Sequence, residues 1–374
     1  MNYDNLQSET IRWMRFPLAV AIVFSHAFVP DSVNISIWET DYSNLNSIEV
    51  FNLILNILTK VFVRLARPCF FIFSGYLLYR GIKEWNRQIY VNKLKNRAKT
   101  LMIPYLLWNI IAVIITATYF FISNNNLTVF FNELRETGLL KIFWNYNTCG
   151  SIGTNIFGYT FSFFYPFDEP LWFIRDLIVM VILSPAIYYF IKYTKLYGVI
   201  VLGILFCTRI GIYTSGFSND AFFFFGLGAY FSIHGKNMIV ELRKSKIIWL
   251  SLTIISLILS LKYRLVFFQL YIVFGSITLI NIATYIFESD KIKTVNKFIS
   301  SLSKTSFFIF AAHSVLLLDF STKMMNVIFR SDMMFFQYIK YLMAPIVCVS
   351  ICVGLNFCAN KIAPKIMKLL TGNR

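Results

Sequence analysis

The chain reads as an all-α, polytopic membrane protein with ten transmembrane helices and both termini in the cytoplasm. Three observations lead there. Hydrophobic residues fill 57% of the 374 positions and charged residues only 14%, whereas a soluble chain carries nearer a quarter charged. The apolar residues gather in ten runs, approximately 16–36, 61–79, 101–122, 171–191, 196–213, 221–234, 247–262, 265–287, 305–320 and 339–360. The charges between those runs are sorted by side. With the N-terminus inside, the inner connections hold Arg12, Arg15, Arg80, Lys83, Arg87, Lys93, Lys95, Arg97 and Lys99, and later Lys236, Arg243, Lys291, Lys297 and Lys361. The outer connections hold Glu39, Asp41, Glu49, Glu133, Glu136, Asp168, Glu169 and Asp220. That is the positive-inside asymmetry of a plasma-membrane or inner-membrane protein. It accounts for the net charge of +17 without a nucleic-acid partner, and no nucleic-acid-binding motif accompanies the charge.

The first run, FPLAVAIVFSHAFV, carries His26 eleven residues after Arg15. Eleven residues are close to three helical turns, so both side chains share a face, roughly 16 Å apart along the axis. Ala19 and Ile22 lie between them on that face. A helix entering the bilayer near Phe16 brings His26 to mid-depth, where an ionisable group is a functional candidate by default. The competing reading is a histidine hydrogen-bonded to a neighbouring helix for packing. No exit site for a signal peptidase follows the run, so a cleaved leader is not expected. The segment from Asn52 to Lys60 reads as a short interfacial helix. In RLARPCFFIFSGYLL, Arg64 and Arg67 share a face, Pro68 breaks the backbone ladder, and Ser74-Gly75 is a small polar spot. Both arginines either serve a site or reach back to the interface.

KLKNRAKTLMIPYLLWN is a basic stretch followed by Pro104 and an aromatic-rich span. It reads either as an ordinary inner flank or as a phosphate cradle containing Lys95 and Arg97. The connection from Ser123 to Pro170 is too long to be a plain link and is a candidate cover for an outward-facing site. PLWFIRDLIVMVILSP places Trp172, Arg175 and Asp176 in the fourth span. Adjacent helical residues do not face each other, so Arg175 and Asp176 are each expected to find a partner on another element; a structural ion pair and a substrate role are both open. Phe222 to Phe225 read as a lipid-facing run, with a wall of an acyl pocket as the alternative. His313 falls in the ninth span. Cys69, Cys207, Cys348, Cys352 and Cys358 fall in spans and Cys149 in the long connection, with no zinc spacing among them, so neither a disulfide nor a metal is expected. No composition break divides residues 1–374, which read as a single membrane domain with a helical core from about 11 to 361.

In this order the segments RWMRF with His26 eleven positions beyond Arg15, RPCFFIFSGYLL, KLKNRAKTLMIPYLLWN, PLWFIRDLI and SFFIFAAHSVLL with His313 resemble the acyltransferase 3 family, integral-membrane acyltransferases of extracytoplasmic carbohydrates. The likeness runs from the N-terminus to about residue 320. It implies a ten-helix core, a catalytic histidine at His26 and an acyl-CoA donor on the cytoplasmic side. Two departures stand out. Many members carry a second arginine three residues after the position of Arg97, where this chain has Thr100. Some members also carry a soluble esterase-like domain, which is not expected here.

A mechanism follows from that resemblance and from the residue chemistry. Transfer from a thioester needs a base, a hydroxyl and stabilisation of the tetrahedral oxyanion, and no permanently bound cofactor. Arg15, Lys95 and Arg97 are the expected ligands of the phosphates of acetyl-CoA or another acyl-CoA. His26 is the base towards a hydroxyl of a carbohydrate or lipid-linked glycan, and an acyl-histidine route stays open. Arg67 or Ser74 would stabilise the oxyanion. Trp172, Arg175, Asp176 and His313 are candidates for acceptor binding or charge stabilisation, with His313 alternatively orienting His26. The rival class is a proton-coupled transporter or flippase of an anionic or glycolipid substrate, which also uses buried charge. Against it, the chain has no internal repeat and no paired broken helices. The oligomeric state is not legible.

Overall fold

A computed structural model describes residues 3–123, 127–146 and 152–373. The described residues are mostly helical, with two short β-hairpins. Helix α1 (Tyr3–His26) is followed, after a loop, by α2 (Ser47–Asn56). A π turn (Ile57–Val61) and a 3-10 turn (Phe62–Leu65) then lead into α3 (Ala66–Tyr79). Helix α4 (Arg87–Arg97) joins α5 (Ile103–Ile122) through a second π turn (Ala98–Met102). The long connection holds α6 (Leu127–Thr137) and the hairpin β1 (Ile152–Thr154) and β2 (Thr160–Ser162). After it come α7 (Trp172–Ile182), α8 (Ser184–Thr208), the hairpin β3 (Tyr213–Thr214) and β4 (Phe217–Ser218), and α9 (Asn219–Ile233). Helices α10 (Met238–Arg243), α11 (Lys246–Ser260), α12 (Arg264–Glu288) and α13 (Lys293–Leu302) precede α14 (Ser306–Ala312). A third π turn (His313–Leu317) leads into α15 (Leu318–Ile328), then α16 (Met334–Ile362) and α17 (Pro364–Thr371).

Among the described residues five helical stretches are long and apolar enough to cross a membrane: Arg87–Ile122, Ser184–Thr208, Arg264–Glu288, Asp290–Ile328 and Met334–Ile362. Lys246–Ser260 is a shorter apolar helix. The chain is a membrane protein. The residues pack as two compact units, one of residues 1–73 with 234–354, the other of 74–233 with 355–374.

In the first unit α1 is surrounded by α10, α12, α13, α14 and the irregular 57–65 segment. The expected first span, 16–36, is corrected at both ends. The helix begins at Tyr3 because DNLQSETIRWMR is itself amphipathic: Leu6, Gln7, Thr10, Ile11 and Met14 bury one stripe at helical spacing. It stops at His26 because Pro30, four residues on, has no N–H for the His26 carbonyl and its ring would clash there. His26 therefore ends the helix rather than sitting mid-span. The loop beyond it is fixed by packing, with Ala27 and Val33 buried against Leu55 and Tyr341. Asn56 donates to the Val33 carbonyl at 2.8 Å, and Asn46 with Glu49 forms a capping box at the start of α2. The expected interfacial helix from Asn52 to Lys60 is thus the end of α2 and its π turn, which lead on into α3.

The second unit is held by close approach and aromatic packing. A Cβ on Gly75 of α3 would lie 2.0 Å from the Phe225 carbonyl oxygen of α9, so only glycine fits. The Phe222–Phe225 run is correspondingly not lipid-facing: Phe223, Phe224 and Phe225 are buried, with Phe206 of α8 stacked on Phe223. The long connection is ordered where it is described. Phe130, Leu134 and Ile142 form a core with Phe120 of α5 and Phe167. Asn124 to Asn126, Cys149 and Gly150 lie outside the described residues.

Candidate functional site

Among the described residues π turns occur at three places, Ile57–Val61, Ala98–Met102 and His313–Leu317; the second follows Arg97 and the third opens on His313. Such single wide turns inside helices cluster at functional sites. A proline stands behind the second of them, and another behind the 3-10 turn that follows the first. Pro68 offers no N–H to the Arg64 carbonyl, and the chain upstream is irregular from Ile57 to Leu65. Pro104 offers none to Thr100, inside the π turn Ala98–Met102. The third, His313–Leu317, has no proline, and within it Val315 (ψ 72) and Leu316 (φ 64) leave the helical region. A non-glycine residue at positive φ costs on the order of 1–3 kcal/mol and persists only where its surroundings impose it.

That third turn opens on His313, which is fully buried. Its Nδ1 lies 3.1 Å from the Ile309 carbonyl and 2.9 Å from the Phe310 carbonyl. Carbonyls only accept, so Nδ1 carries the proton and Nε2 presents its lone pair. That buried Nε2 has no hydrogen-bond partner among the described residues. The His26 ring stands beside it, with ring centres 5.3 Å apart and planes tilted by 60°. His26 itself is exposed on its other side.

The end of α1 is also where cations collect. Lys60, on the first π turn, donates to the Ala27 carbonyl at 2.8 Å and to the Ser25 carbonyl at 3.4 Å. It supplies a cation where the helix leaves carbonyls unpaired and its dipole is negative. The positive charges of Lys60 and Arg67 both act on His26. Arg67 is half-buried. Lys60 was missed as a site residue; the signal was a lysine inside an otherwise apolar stretch, ILTKVFV. Arg15 is half-buried on the same helix face as His26, with Ala19 and Ile22 buried between them. Arg12, one turn earlier, pairs with Glu9 at 2.8 Å, whereas Arg15 has no carboxylate partner among the described residues.

The remaining predicted residues belong to the second unit. Lys95 is exposed and Arg97 half-buried in the last turn of α4, and the charge of Arg97 bears on Lys93. At Thr100, Gly372 (φ 66) packs so tightly that a Cβ on the glycine would lie 2.3 Å from the Thr100 carbonyl oxygen. Trp108 donates to the Leu370 carbonyl at 3.0 Å, tying α17 to α5. Ser74 is half-buried beside Gly75, and the Trp172 ring lies 6.4 Å from Tyr165.

Arg175 and Asp176 do pair with each other, contrary to the expectation for adjacent helical residues. Nε and Nη2 of Arg175 donate to Asp176 Oδ1 at 3.0 and 2.9 Å. The reason is reach: the long guanidinium arm turns back at the start of a short helix, where carbonyls of the preceding connection also draw it. Nη1 donates to Trp144 O at 2.5 Å and Phe164 O at 2.9 Å. Asp176 Oδ2 accepts from Ser218 of β4 at 3.0 Å. Both side chains are buried, so the pair fastens Trp144, Phe164 and the β3–β4 hairpin to α7.

His26, beside His313 at the end of α1, and Arg15, without a carboxylate partner among the described residues, thus lie on one helix of a helical membrane protein. The profile of the acyltransferase 3 family, described as an acyltransferase domain, matches residues 9–363, and the chain belongs to that family. It is 26% identical over 378 residues to the succinoglycan biosynthesis protein ExoH of Rhizobium meliloti strain 1021, covering 98% of this chain and 92% of that protein. No solved structure matches.

Proposed function

We propose that this protein is a membrane-bound O-acyltransferase that moves an acetyl or other short acyl group from acyl-CoA to a hydroxyl of an extracytoplasmic carbohydrate, as a single membrane domain. The observation that carries the reading is the His26–His313 pair at the end of α1, with Arg15 eleven residues earlier on the same face, in a chain of an acyltransferase family. Membership of the relative in succinoglycan biosynthesis supports a carbohydrate acceptor, free or lipid-linked.

His26 takes the proton of the acceptor hydroxyl as its oxygen attacks the thioester carbonyl. Arg67, whose charge reaches His26, holds the oxyanion; Ser74 stays a candidate on its own unit. Collapse of the tetrahedral centre breaks the C–S bond, and the proton on His26 passes to the departing thiolate. Arg15 binds donor phosphate, which a half-buried guanidinium without a carboxylate partner is free to do. Lys95 and Arg97 supply further charge for the donor on the second unit. The proposed topology has ten spans with both termini cytoplasmic.

Two measurements test the reading. Membranes containing the protein should consume acetyl-CoA only when acceptor glycan is present, with labelled acetyl appearing on that glycan. Consumption without acceptor, or none at all, would remove the assignment. Cysteines placed in the 80–99 loop should resist an impermeant reagent in intact cells, and those in the 123–170 connection should react. Strong labelling of the 80–99 loop would reverse the topology and with it the side from which the donor binds.

A further inference from the structure

We infer that His313 is a positioning residue that fixes the tautomer and orientation of His26, an inference that rests on His26 being the base. The two carbonyls of Ile309 and Phe310 occupy Nδ1–H of His313, which leaves Nε2 as a buried acceptor without a partner among the described residues. Leaving a buried acceptor in that state is costly, so the fold maintains it for something that donates. Rings whose centres are 5.3 Å apart bring a nitrogen of each within about 3 Å when the two nitrogens face each other, a normal hydrogen-bond length.

His26 is the group placed to donate. It ends its helix and is exposed on one side, so its ring can turn without unpacking the core. Lys60 and Arg67, the cations that act on His26, have no lone pair to offer it. With one N–H given to His313 Nε2, the other nitrogen of His26 keeps its lone pair for the acceptor hydroxyl. After proton uptake His26 is doubly protonated, and the same hydrogen bond holds the imidazolium until it returns the new proton to the thiolate. His313 changes no protonation state in this cycle. The strained turn at Val315 and Leu316 belongs to the same device, because it sets the backbone immediately after the His313 ring.

The test compares His313→Leu, which fills space without an acceptor, with His313→Gln, which keeps an acceptor oxygen. His313→Leu should lower kcat about 10- to 100-fold, the range for a partner that orients a working group. KM for acetyl-CoA should be unchanged, and His313→Gln should restore most of kcat. Equal activity of the two variants at matched folded yield would overturn the inference. Nitrogen-15 spectra of the histidine-labelled protein in a His234→Gln background give a readout that does not require these variants to fold. One fixed neutral tautomer of His26 is expected, and rapid averaging between the two would also overturn the inference. Full transfer by His26→Gln is a different failure: it removes the base itself and leaves the spectra to report the ring pair alone.

Discussion

Two polar pairs, one in each unit, show opposite ways of treating ionisable groups. Arg175 and Asp176 are closed: both carboxylate oxygens and at least four guanidinium hydrogens have partners. The partners of the pair are its own chain's groups: the carbonyls of Trp144 and Phe164, the Ser218 hydroxyl and each other. His26 and His313 are open: one ring is exposed, and the other keeps a buried lone pair unused. A closed network raises specificity of packing. An open one is retained against its cost, which is what a reacting site requires. Burial alone therefore does not rank candidates; the accounting of donors and acceptors does.

The largest effect that can break this contrast is at His26. His26→Ala and His26→Gln should each lower transfer by about 10²–10⁴-fold, the range for loss of a general base, while folded yield and donor binding persist. Glutamine keeps hydrogen bonding but takes no proton at neutral pH. Normal surface acetylation by a well-expressed His26→Gln protein would mean that the open pair is as structural as the closed one.

The closed pair should fail in stability instead. Asp176→Ala leaves Arg175 buried without its anion, a change worth about 3–5 kcal/mol where such pairs are broken. Thermal unfolding in detergent should show the loss, and proteolysis should cut the 144–164 connection faster. A variant that folds as well as the parent yet transfers acyl groups poorly per molecule would place Arg175 and Asp176 in the chemistry and erase the distinction.

Much of this difference could be anticipated only in part from the residues. The Arg15–His26 face is local, set by eleven residues of one helix, so it was legible. The π turn at Thr100 and the irregular segment before Pro68 follow from prolines that give no N–H to the fourth residue back. The same rule applied to Pro30 would have ended α1 at His26, but the apolar AFV that follows hid the boundary. The amphipathic stripe from Leu6 to Met14 would have shown the earlier start. By contrast, the meeting of His26 with His313 joins positions almost three hundred residues apart in sequence. The pairing of Arg175 depends on carbonyls of Trp144 and Phe164, which carry no side-chain signature. Tertiary partners of this kind are not written in spacing.

A smaller effect is expected at Arg15. Arg15→Ala should raise KM for acetyl-CoA about tenfold, close to one charge-assisted contact, with kcat little changed because the base remains. Arg15→Lys should recover part of it, since a point charge replaces a planar fork. An unchanged KM in Arg15→Ala would make this arginine an interfacial anchor and confine the open region to the histidines.

The smallest effect sharpens the contrast most finely, because it separates placing a side chain from supplying a charge. Lys60 touches backbone carbonyls at the end of α1, not the His26 ring. A cation at a helix C-terminus is worth about 0.3–1 kcal/mol, rising to about 2 when partly buried. Lys60→Met should therefore loosen the last turn and lower kcat by a few-fold, with hydrogen exchange at Ser25 to Ala27 accelerated. Lys60→Arg should restore both readouts, as a guanidinium can bridge the same two carbonyls. If Lys60→Met left exchange at the helix end unaltered but abolished transfer, the ammonium itself would be acting on the reacting atoms. The open region would then have three chemical members instead of two histidines held in place by their surroundings.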